Sequence, residues 1–131
     1  MFKRIFTILL VVYAVAFGTG CSTMADAKNA QGTGTAKEYS ASFDTVWKTL
    51  PGVLTEISLP LASENKQDGY MLAQRGITLL STGENVAIFV KPIPGQARTQ
   101  VEVVSKKAIA TDLFAPNWAN RIHEKLAEKL K

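Results

Sequence analysis

The chain holds one cysteine and one histidine among its 131 residues, and that shortage removes most of the chemistry that side chains perform. A single thiol cannot form an internal disulfide, so stability must come from an ordinary apolar core. The one histidine, His123, falls beside Glu124 and Lys125 on a charged segment and reads as a solvated structural residue. Ser-His-Asp and Cys-His arrangements therefore lack the base they need. A zinc site would have to be built almost wholly from carboxylates, an improbable ligand set. No G-x-G-x-x-G, Walker loop or H-E-x-x-H run occurs. A hydrolase with a carboxylate acid/base pair stays as a lesser alternative, but Glu38, Glu64, Asp68, Glu84 and Asp112 have no spacing that brings two together predictably. Lysine and arginine are dispersed, without the block that marks a nucleic-acid interface. Internal repeats and low-complexity tracts are absent too. The sequence thus leads to the expectation of no enzyme, no cofactor, no metal and no nucleic-acid partner.

A long hydrophobic run is also missing. The apolar stretch at residues 5–17 would span only roughly 20 Å as a helix, against the approximately 30 Å of a bilayer core. Its surroundings give it another meaning. Met1-Phe2-Lys3-Arg4 is basic, 5–17 is apolar, and Gly18-Thr19-Gly20 is small, the three zones of an export signal in their required order. Gly18-Thr19-Gly20-Cys21 resembles the bacterial lipobox, with glycine where the family more often has leucine. The resemblance implies cleavage between Gly20 and Cys21, a diacylglyceryl thioether on Cys21 and a further acyl chain on its new amino group. Two or more chains hold a protein stably on a membrane where one does not. Ser22 follows, rather than the aspartate that often retains lipoproteins at the inner membrane, so the expected location is the periplasmic face of an outer membrane. Loss of Lys3 and Arg4 with the signal brings the net charge from +4 to about +2.

Residues 21–34 read as a lipidated flexible tether. The stretch STMADAKNAQGTG has no apolar periodicity, and a coil of this length spans on the order of 20 Å. Residues 35–131 then form a single domain, with 1–20 as the signal peptide.

Within that domain Phe43, Val46, Trp47, Leu50, Val53, Leu54 and Ile57 follow the spacing of an amphipathic helix. Ser42 suits its N-cap and Asp44 the positive end of its dipole. Pro51-Gly52 predicts a kink, because Pro51 has no donor for the carbonyl of Trp47. Residues 61–66, 70–80, 86–93 and 98–106 read as strands, joined by turns at Gln67-Asp68-Gly69, residues 81–85 and Ile93-Pro94-Gly95. Residues 35–41 add an edge strand. Trp118, Ile122, Leu126 and Leu130 fall in an i+4 row on a C-terminal helix, with Pro116 in its first turn. The expected fold is α+β: an antiparallel sheet of three to five strands with two amphipathic helices on one face, in the order β-α-β-β-β(-β)-α.

That order, with SFDTVWKTL opening the first helix, QDGYMLAQ in the hairpin and FAPNWANRIHEKL opening the last, resembles the small α+β domains of BamC-like envelope lipoproteins. Such proteins carry more than one domain on a longer chain, so membership of an assembly complex does not follow. GENVAIFV and VEVVSKKAIATDLFAPNW are also similar to segments of small lipoproteins without an assigned activity.

The polar residues with most to offer sit in predicted loops: Glu84 and Asn85 after Gly83, and Asp112 before Leu113 and Phe114. Together they make a candidate interaction patch at one end of the sheet. Two functions are compatible with this reading. One is a membrane-anchored, non-catalytic interaction or scaffold module with an envelope protein as partner. The other is a module holding a lipid or peptidoglycan fragment between helices and sheet, which would need a cavity of several hundred Å3.

Overall fold

In the computed structural model, residues 22–79, 83–107 and 115–131 are described. Their elements are α1 (Met24–Asn29), β1 (Thr35–Tyr39), α2 (Phe43–Glu56), β2 (Leu61–Asn65), β3 (Tyr70–Arg75), β4 (Glu84–Pro92), β5 (Thr99–Lys107) and α3 (Trp118–Lys129). The strands form one antiparallel sheet in the order β1-β5-β4-β3-β2. The fold is α+β, as the sequence predicts, with β1 on an edge.

One face of the sheet carries α2 and α3. The period of α2 sets Val46, Trp47, Leu50, Val53 and Leu54 inward, all buried. The Ser42 hydroxyl accepts the Thr45 N–H at 3.2 Å, which satisfies one of the donors a helix start leaves open. The helix continues through Pro51 to Glu56. On α3, Trp118, Ala119, Ile122, His123 and Leu126 are buried. Its cap is Asn117, whose side chain accepts the Asn120 N–H at 3.0 Å. Pro116 accordingly lies just before the cap rather than in the first turn. Met71, Ala73, Val86, Ile88, Val90, Val101 and Val103 of the sheet complete this core.

The other face differs from expectation. Residues 24–29 are a helix, not part of a flexible tether, and α1 packs on the sheet. Ala27 is fully buried against a small cluster with Leu72, Ala87, Phe89 and Val104. A helix of six residues is too short to persist alone, so its ends are fixed individually. Thr23 and Asp26 form a reciprocal capping box. The backbone and hydroxyl donors of Thr23 hold the Asp26 carboxyl below its ordinary pKa. Beyond the helix, the Glu102 carboxylate of β5 accepts the N–H groups of Gly32 (2.7 Å) and Gly34 (2.9 Å). Gly34 has no room for a side chain, since a Cβ there would sit 2.4 Å from the Val103 carbonyl oxygen.

With both faces covered, β4 is buried from Glu84 to Val90. The continuous apolar run VAIFV belongs to a strand packed on two sides, whereas a one-sided strand would alternate.

Candidate functional site

The sheet end formed by the close of β3, the start of β4 and the close of β5 contains two of the predicted patch residues. Arg75 pairs in register with Glu84, and Glu84 with Lys107. Glu84 and Asn85 are strand residues, 1% and 3% exposed, so they do not form a surface patch. Alternation also sends them to opposite faces. Glu84 shares the helix-covered face with Val86 and Ile88. Asn85 shares the α1 face with Ala87 and Phe89. Asp112, Leu113 and Phe114, like Gly20 and Cys21, lie outside the described residues.

Asn85 links three segments. Its side-chain oxygen accepts the Gln74 side-chain amide at 2.9 Å, and its own amide donates to the Ser22 carbonyl at 2.9 Å. The Ser22 hydroxyl in turn donates to the Lys107 carbonyl. Ser22 is therefore clasped to the sheet end by both its backbone and its side chain. Beside this clasp the chain leaves β3 through Gly76, Ile77, Thr78 and Leu79 and returns at Gly83. Gly83 has φ +100°, and a Cβ on it would stand 3.1 Å from the Arg75 carbonyl oxygen. Glycine thus closes the base of the connection, where an L side chain would be strained. Ile77 and Leu79 are 83% and 105% exposed. On the helix side, the Arg75 and Arg121 guanidinium groups lie 5.7 and 5.5 Å from the buried Trp118 ring.

His123 is the second place where the structure departs from the sequence reading. It is 1% exposed, packed between α3 and β1 rather than solvated. Its Nε2 is 2.9 Å from the Thr35 carbonyl, which can only accept, so Nε2 carries the proton. Nδ1 is then the acceptor for the Tyr39 hydroxyl, 2.7 Å away. Burial, with the nearby Lys37 charge, lowers the histidine pKa against the raising effect of the Thr35 hydrogen bond. Burial also pushes the Tyr39 phenol up to about 12. Both groups are held neutral, and the pair fastens α3 to the edge strand. It lies on β1, away from the β3–β4 connection.

The described residues line several depressions, three of them of similar size. The first, about 380 Å3, is bordered by Phe43, Lys66, Asp68 and Lys91. The second, about 410 Å3, lies among Lys28, Gln31, Tyr70 and Phe89. The third, about 360 Å3, lies among Glu56, Ser58, Arg121 and Lys125. Each opens at the surface. None brings together three histidine, cysteine or carboxylate groups for a metal, and the described residues contain no such cluster elsewhere. Among the described residues no helix is long and apolar enough to cross a membrane.

No protein-family model matches the chain, and no curated protein matches it. Among solved structures, the chain is similar to an uncharacterized protein from Bacillus thuringiensis, with 16% identity over 72% of this chain and 89% of that one, at a TM-score of 0.47.

The residues missed from sequence are Ser22, Gln74, Ile77, Leu79 and the Tyr39–His123 pair. A signal for the first lay in Thr23-Met24-Ala25-Asp26, whose spacing is that of a capping box and marks a helix start directly after Ser22. The Tyr39–His123 contact joins residues 84 apart, a separation that no local pattern reports.

Proposed function

We propose that the protein is a lipid-anchored, non-catalytic interaction module of the bacterial envelope, held by acyl chains on Cys21 and working through its surface on another envelope protein. The observation that supports this over a ligand-holding module is the filled space between sheet and helices. Leu50, Leu54, Met71, Ile88, Trp118, Ile122 and Leu126 occupy it, each no more than 1% exposed. Among the described residues these side chains take up the space between the layers that a lipid tail or a sugar would need. Recognition then falls to the exterior.

The exterior offers a strand edge. β1 pairs with β5 through five consecutive residues without a bulge, and Thr35, Ala36, Lys37 and Glu38 are exposed. At the opposite edge, the β2–β3 pairing carries an irregularity between Leu61 and Ser63, a feature that discourages strand addition. β1 is thus the more regular edge for a partner segment, and strand addition supplies affinity through main-chain hydrogen bonds.

The test is a photo-crosslinking residue placed at Lys37 in the full-length protein in its native envelope. The expected result is one recurrent protein adduct that disappears when the photo-reactive group is moved to the β4–β5 turn. Adducts with lipid alone, or none that recur, would remove the interaction reading.

A further inference from the structure

The clasp on Ser22 changes what an anchor at Cys21 does. A flexible tether would let the domain stand off from the membrane at any orientation. Here Ser22 is held by Asn85 and by the Lys107 carbonyl, and the peptide bond sets the neighbouring Cα only about 3.8 Å further on. In the lipid-anchor reading proposed above, acyl chains on Cys21 would therefore start beside this end of the sheet. The same end carries Ile77 and Leu79, both far more exposed than Leu61 at 38%, the third large exposed apolar residue among the described residues. Gln74, three residues before Ile77, is joined to Ser22 through Asn85 by two hydrogen bonds of 2.9 Å. Ile77 and Leu79 follow directly on this end of β3, two strands of about 4.8 Å spacing from β5.

We infer that this end of the sheet is a bilayer-docking surface, on which Ile77 and Leu79 enter the interfacial region of the membrane that holds Cys21. The inference rests on the lipid-anchor reading and adds an orientation to it. An apolar side chain that costs free energy in water gains it back at the acyl boundary, and interfacial segments bury their apolar side roughly 5–10 Å deep. Lys106 lies near the close of β5 at the same end, where its stem can lie along the interface and its ammonium group meet anionic headgroups. Asp26, close enough to Lys106 for its own pKa to register that charge, offsets part of this attraction. The α1 segment becomes a rigid strut, and the turn at Ile93-Pro94-Gly95, at the opposite end of the sheet, faces away from the lipid.

The experiment uses the full-length chain with its own leader, extracted from host membranes and reconstituted into vesicles of phosphatidylethanolamine and phosphatidylglycerol with brominated acyl chains. Leu79→Cys and Ala97→Cys each supply one thiol for a bimane label. Both positions are exposed, so neither change touches the core. Bimane at 79 should be quenched about twofold, and at 97 not at all, because brominated chains reach only groups at interfacial depth. Equal quenching at the two positions, or none at 79, with acyl mass present on Cys21, overturns the orientation and leaves the anchor standing. Absence of acyl mass by intact-protein mass spectrometry overturns both.

Discussion

The two faces of the sheet are built to different strengths. On one, α2 and α3 close over a core that includes two tryptophans and most of the large buried side chains. On the other, a helix of six residues covers the sheet with one fully buried alanine. Burial contributes roughly in proportion to apolar area, so the first face determines whether the domain folds. The second has little to add to global stability. Its features are positional: a capping box, two hydrogen bonds to Glu102, and the clasp between Ser22, Asn85 and Lys107. Strength and placement are divided between the faces.

The largest test of that division is Trp118→Ala. Trp118 is 1% exposed in the thick core, and its loss should destabilise the domain by about 3–5 kcal/mol, read as a lower denaturation midpoint at unchanged slope. A shift no larger than that of a surface substitution would mean that the helix face does not dominate.

An intermediate effect belongs to the Tyr39–His123 pair on the same face. Tyr39→Phe leaves Nδ1 without its donor and should cost about 1–3 kcal/mol. The pH dependence has a definite sign. The folded-state pKa of His123 lies below its ordinary value of 6.5, so the unfolded chain takes up the proton first. Stability is complete above about pH 6.5 and declines as pH falls towards the lowered folded value. For Tyr39, raised from 10.0 to about 12, stability declines as pH rises above 10. Urea midpoints that stay level from pH 7 to pH 5 would show that His123 is not held neutral.

The smallest effect should come from the thin face. Thr23→Ala removes the cap of α1 and should cost about 1 kcal/mol, expressed as faster amide exchange from Met24 to Ala30. Exchange in α2 and α3 should not change. Equal acceleration in all three helices would show that the two faces fold as one unit.

The sequence made the thick face legible because its elements are long and periodic. Val46, Leu50 and Val53 repeat at helical spacing, as do Trp118, Ile122 and Leu126, and every one of them is buried. The thin face escaped because a helix of six residues shows less than two turns of any period, and alanine and glycine resemble a linker by composition. The run from Val86 to Val90 already implied a second covered face, since both alternating sets of that strand are apolar. Glu84 and Asn85 looked like turn residues because they follow glycine. They belong to the strand because its hydrogen-bonded register with Arg75 and Gln74 begins immediately after Gly83. Of the residues expected to form a patch, Glu84 and Asn85 are buried in the strand instead.

The contacts of Glu102 with Gly32 and Gly34 also bear on the order in which the molecule assembles. The meander from β2 to β5 forms through short connections, whereas Gly34 must meet a carboxylate 68 residues further along. Loop-closure entropy makes such a contact slow to form. Among the described residues α1 and β1 are therefore expected to dock last. Their docking site is complete only once β5 has paired with β4, because β5 supplies both Glu102 and the strand edge that β1 joins.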